Sequence, residues 1–104
     1  MANAQRGEIA ARLSGQSYVL CLTLGALAEL EHAYGGEDLI ALAQRFEQGN
    51  IGAGDVIRVI GAGLRGAGNA VSDDEVAAMT AEGGAAGFLD IMVRLLRSTF
   101  GGAP

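Results

Sequence analysis

The residues best placed to do chemistry are few, and most are glycines. Val56-Ile-Arg-Val-Ile60 leads into Gly61-Ala-Gly63-Leu-Arg-Gly66, which has the form of a dinucleotide fingerprint. Such a fingerprint works when its glycines let a strand turn sharply and bring a helix N-terminus against a pyrophosphate. Here the next residues, Ala-Gly-Asn-Ala-Val, start a helix poorly, and the true start signal comes only at Ser72. Glu82 stands where a ribose-binding acid would, but Gly-Gly-Ala-Ala-Gly follows it and too little chain remains for the rest of a sheet. The plainer expectation is that Gly61 and Gly63 let a helix pack closely on a neighbour; nucleotide binding through Gly61, Gly63 and Gly66 is kept as a remote alternative.

The other reactive side chains stand alone. His32 is the sole histidine and has no cysteine or second histidine beside it, so a zinc site lacks ligands and a solvated helix position is expected. Cys21 is the sole cysteine; it cannot form an internal disulfide, and a small half-buried residue in a reducing setting is expected. Asp73, Asp74 and Glu75 lack the spacing of a calcium loop, and as the first turn of a helix they satisfy its free N–H groups and its dipole. Glu37 and Asp38 have the same explanation. No catalytic residue, cofactor or metal is therefore assigned, and the chain is not read as an enzyme.

The elements that would position these residues follow from periodicity. Strands over about 8–13 and 17–24, joined by Ser14-Gly15-Gln16, alternate Ile9, Ala11, Leu13, Tyr18, Leu20 and Leu22 against polar or small residues, which predicts a β-hairpin. Helices are expected over about 24–34, 37–48, 53–65, 73–82 and 85–100. Thr23 and the capping box Ser72-Asp-Asp-Glu75 start two of them. The fold class is α+β, mostly α, with an N-terminal hairpin packed on about five short helices. The 104 residues suit a single domain spanning 1–104.

A net charge of −5 argues against nucleic acid or an anionic membrane as partner, and no apolar run reaches transmembrane or signal-peptide length, so a cytoplasmic setting is expected. One helix is over-supplied with apolar surface. The segment 85–100 confines its charges to Asp90, Arg94 and Arg97 and is apolar nearly all round. A core needs an arc of only about 100°. Either this helix runs through the middle of the domain with neighbours on both sides, or it keeps a face for a partner, in which case Leu89, Val93, Leu96 and Phe100, its second apolar face, are the candidate partner-binding residues. The open edges of a two-stranded hairpin are a further candidate, including for a second copy of the chain.

Several blocks carry a resemblance. The hairpin running into Leu22-Thr-Leu-Gly-Ala-Leu-Ala-Glu-Leu-Glu31, together with Asp38-Leu-Ile-Ala-Leu-Ala-Gln-Arg-Phe46, Asp55-Val-Ile-Arg-Val-Ile-Gly-Ala-Gly-Leu-Arg-Gly66, Ser72-Asp-Asp-Glu-Val76 and Glu82-Gly-Gly-Ala-Ala86, resembles the gene transfer agent family of small phage-tail proteins. The likeness covers nearly the whole chain. It implies a non-enzymatic protein encoded between the major tail protein and the tape-measure protein, with those two as candidate partners. The family is described both as tail tube protein and as tail assembly chaperone. A small acidic domain with spare apolar helix surface suits a chaperone that keeps the tape-measure protein soluble during assembly; the alternative is a structural tube component incorporated in a phage-like particle.

Overall fold

The computed structural model describes residues 2–3 and 6–101. Strand β1, Glu8–Leu13, pairs antiparallel with β2, Gln16–Cys21, in a register that sets Leu13 opposite Gln16, Ala11 opposite Tyr18 and Ile9 opposite Leu20. The connection is two residues rather than the expected three. Ser14 and Gly15 take φ of 52° and 77°, the left-handed pair of a type I′ turn, whose twist matches that of the strands and leaves Gln16 free to pair. The second strand therefore begins earlier than expected and ends at Cys21.

Five helices follow: α1 Leu24–Ala33, α2 Leu39–Glu47, α3 Ala53–Gly66, α4 Asp73–Ala77 and α5 Gly84–Leu96. Helices α1 and α4 start where cap chemistry predicts. Thr23 Oγ1 accepts from the Ala26 N–H at 3.1 Å, and Ser72 and Glu75 exchange side chain-to-backbone bonds of 3.1 and 3.0 Å. Asp38 caps α2 through the Ala41 N–H at 2.8 Å, so it precedes that helix rather than forming its first turn.

Two ends differ from expectation. Helix α4 stops at Ala77 instead of continuing to Glu82, because the next residues are drawn to the hairpin turn: Ser14 N–H donates to the Thr80 carbonyl at 2.8 Å and the Thr80 N–H to Ser14 Oγ at 3.2 Å. Helix α5 yields at Leu96 to a widened π-type turn, Arg97–Gly101.

The core gathers Leu13, Leu20, Val59, Ile60, Leu64, Met92 and Leu95, all fully buried. Helix α3 is its axis. It touches β2, α1, α4 and α5, and every residue from Val59 to Leu64 is buried. The glycines of the fingerprint-like stretch lie inside this helix and explain the closeness. A Cβ at Gly66 would collide with the Cys21 carbonyl oxygen, one at Gly63 would stand 2.6 Å from Leu95 Cδ2, and one at Gly61 would collide with the Asp73 carboxylate. The stretch is helical rather than a strand-turn, and the next helix begins only at Asp73 instead of directly at the glycines.

Candidate partner-binding site

Helix α5 divides its apolar residues between two tasks. Ile91, Met92 and Leu95 face the core and are buried. Leu89 is 41% exposed and Phe100 46%, while Val93 and Leu96 are half-buried. Val93, Leu96 and Phe100 come together as one wall of an open groove of about 530 Å³. The facing wall is Ala43, Phe46 and Glu47 of α2, with Ile51 beyond its end. Leu89 shares the helical stripe of Val93, one turn back, but does not line the groove.

The groove exists because α2 stands off from the rest of the fold. Leu42 and Phe46 anchor it through long side chains, and no part of it approaches another helix as closely as α3 does. Beneath it, Leu22, Leu30, Tyr34, Leu42 and Phe46 close the floor against Val59 with almost no free space. Sequence spacing alone does not assign α2 and Ile51 to a site; the one sign on α2 of apolar surface outside the core is Ile40, 72% exposed and three residues before Ala43.

A charged cluster lies outside the groove lining and meets its wall only through the Phe46 ring. The Tyr34 ring packs edge-on to Phe46 with centroids 6.3 Å apart. The Arg45 guanidinium lies 5.2 Å from the Tyr34 centroid and 5.3 Å from that of Phe46, and Arg58 lies 4.8 Å from Tyr34, all within cation–π range. Asp55 Oδ1 accepts from the Tyr34 hydroxyl and from Arg58 and Arg45 at 3.4 and 3.5 Å, while Oδ2 accepts from the Gly52 N–H at 2.7 Å. Burial pushes the Asp55 carboxyl up, yet the Tyr34 hydroxyl, the Gly52 N–H and the two cations together hold it below its ordinary value. Burial and the Asp55 contact push the Tyr34 hydroxyl above its own. Asp55 and Arg58 stand three residues apart on α3, whereas Arg45 comes from α2 and Tyr34 from the end of α1.

The remaining side chains singled out earlier lie apart. His32 is exposed on α1. Cys21 is half-buried, its thiol directed at the Arg6 carbonyl at 3.4 Å. Asp73 pairs with Arg65 at 3.0 Å, and Arg65 also pairs with Glu29. Among the described residues no group of histidine, cysteine and carboxylates is spaced to hold a metal ion, and no helix is long and apolar enough to cross a membrane.

The hairpin edges are guarded. A closing pair of Leu13 and Gln16 turns the backbone of the even-numbered residues of β1 outward. On that side Arg94 Nη1 donates to the Ala10 carbonyl at 3.0 Å, and the Glu8 N–H is taken by the Asn3 carbonyl at 3.1 Å. On the other edge Asn69 Nδ2 donates to the Val19 carbonyl at 3.0 Å.

Residues 6–102 match the model of a protein family described as "Phage tail tube protein, GTA-gp10". No curated protein and no solved structure matches the chain.

Proposed function

Since the chain belongs to the GTA-gp10 family of phage tail tube proteins, we propose that it is a component of the tail tube that binds a neighbouring tail protein through the α2–α5 groove. The observation that carries this reading is the groove itself. Its walls are Val93, Leu96 and Phe100 on one side and Ala43 and Phe46 on the other, apolar and open to solvent in an acidic chain with no assembled catalytic group among the described residues. Two helices with a gap between them accept a third helix, whose apolar stripe removes the exposed surface from water. The tape-measure protein is the first candidate to supply that helix, with the major tail protein as a second.

A second reading is favoured by one observation. A tube closed through β-sheets needs long open strand edges, whereas the described sheet has two strands and side chains or neighbouring chain occupy positions on both edges. That suits a tail assembly chaperone, which would hold the tape-measure protein through the same groove and leave before completion. Mass spectrometry of purified particles separates the two: a tube component is retained in the mature particle, and a chaperone is absent from it. Co-expression with the tape-measure protein tests the groove in either case. Wild type is expected to co-purify and Phe100→Ser with Val93→Ser to lose the partner; equal recovery with both proteins would remove the groove from the account.

A further inference from the structure

The two edges of the hairpin are not closed alike. Along β2 the Cys21 carbonyl lies so near α3 that a Cβ at Gly66 would strike it, and the Val19 carbonyl holds Asn69 Nδ2. Along β1 the outward backbone groups are those of Glu8, Ala10 and Arg12. Two of these groups have partners, each standing where a third strand would: the Asn3 carbonyl at the Glu8 N–H and Arg94 Nη1 at the Ala10 carbonyl. The Ala10 N–H and both backbone groups of Arg12 have none among the described residues. An open cleft of about 320 Å³ lies beside Ala10 and Arg12. The side chains of Glu8, Ala10 and Arg12 share the outer face of the sheet, and the Arg12 guanidinium is spent only on the Gly15 carbonyl at 2.8 Å.

We propose that β1 pairs antiparallel with β1 of a second copy of this chain, about a two-fold axis at Ala10, to make a four-stranded sheet. The order acid, alanine, arginine is its own complement. Ala10 then faces Ala10 of the other copy, and Glu8 faces Arg12 at both ends of the pair. Moving the axis to Glu8 or Arg12 sets like charges face to face, and moving it to Ile9 or Ala11 leaves both without an opposite charge. The strip is locally neutral although the chain carries −5, so two copies approach there without repulsion. On pairing, the Ala10 carbonyl exchanges Arg94 for an Ala10 N–H, and the Glu8 N–H exchanges Asn3 for an Arg12 carbonyl. Arg94 keeps Asp90, which it already contacts at 3.2 Å. Bonds are partly exchanged and partly gained, so the dimer is weak, but a four-stranded sheet is a sturdier unit than an isolated hairpin. Assembly stops at two copies because the β2 edge is covered. The cleft shares no residue with the α2–α5 groove, so this contact stands apart from partner capture.

The test is sedimentation of the full chain over a range of concentrations, with circular dichroism to confirm that each variant is folded. Wild type is expected to form a dimer, and Arg94→Ala a tighter one. Glu8→Arg and Arg12→Glu should each weaken it roughly tenfold, since two cross-strand pairs become repulsive. Mixed together, those two variants should associate again, because every facing pair is then unlike. Ala10→Pro removes an N–H that the hairpin itself does not use and should abolish the dimer while the fold persists. A mixture no more associated than its separate variants would overturn the register. Wild type and Arg94→Ala both monomeric at about 1 mM would overturn the pairing itself. A dimer lost in Val93→Ser/Phe100→Ser but kept in Ala10→Pro would move the contact to the groove and end this inference.

Discussion

Helices α3 and α2 solve the same packing problem in opposite ways. Around its circumference α3 presents Gly61, Gly63 and Gly66, and α4, α5 and β2 come to touching distance of its backbone there. Helix α2 presents Leu42 and Phe46, whose side chains reach the core while its backbone stays away, and a groove opens between it and the end of α5. Small residues bring elements together and leave no surface over. Bulky ones hold elements apart, and the space between them becomes available to another molecule. The stability of this protein is therefore concentrated around α3, and its capacity for binding around α2 and the C-terminal part of α5.

The sharpest way to break that contrast is within α5, where both behaviours occur. Leu95→Ala empties a fully buried site and should lower unfolding free energy by about 2–5 kcal/mol. Phe100→Ala should change it by less than about 1 kcal/mol while weakening partner capture; chemical denaturation beside a pull-down reads both effects. A large loss of stability from Phe100→Ala would mean that the groove is part of the core.

Gly66→Ala comes next. In an exposed helix the change would gain about 1 kcal/mol of propensity, but here the added carbon meets the Cys21 carbonyl, which cannot move without shifting β2. A net loss of about 1–3 kcal/mol is expected, and a gain would show that α3 is free to retreat.

Asp55→Asn tests the cluster beside the groove. It replaces a carboxylate that takes a hydrogen bond from Tyr34 and sits beside two arginines, and a loss of about 1–2 kcal/mol at neutral pH is expected. The pH dependence has a definite sign. The folded-state pKa of Asp55 is depressed, so its contribution is complete above the unfolded-state value of about 3.9 and fades as pH falls through the lower folded value. Melting temperature should decline on acidification below about pH 4, and less steeply in Asp55→Asn. Parallel curves for the two proteins would refute this assignment.

The smallest effect belongs to Arg94→Ala. Its pair with Asp90 is largely exposed and worth less than about 1 kcal/mol, yet the arginine also covers the Ala10 carbonyl on the β1 edge. Stability should barely change. Self-association measured by sedimentation should rise, since an uncovered edge strand can pair with another copy.

Much of this was legible in the residues taken in order. Thr23, Ser72 and Glu75 announce their helices because a cap acts over three residues and needs no distant partner. Alternation placed Leu13 and Leu20 on the buried face of the hairpin, and Leu22, just past its end, is buried too. The close-packing role of Gly61 and Gly63 was also readable, because the fingerprint lacked the helix it requires. The end of α4 was not, since Ser14 and Thr80 meet across a gap of 66 residues. Nor was the second wall of the groove, for nothing local to Phe46 or Ile51 says which helix will stand opposite.

By itself the sequence determined the fold class, the order of the elements, the surplus of apolar residues on α5 and the kinship with phage-tail proteins, because each follows from local spacing or from motifs contiguous in the chain. Tertiary structure alone decided that Val93, Leu96 and Phe100 face α2 across open space while Leu89 stays outside it, and that Tyr34, Arg45 and Arg58 converge on Asp55. The reason is geometric. Distances between helices are set by the side chains trapped between them, and those partners are chosen only when the whole chain has packed.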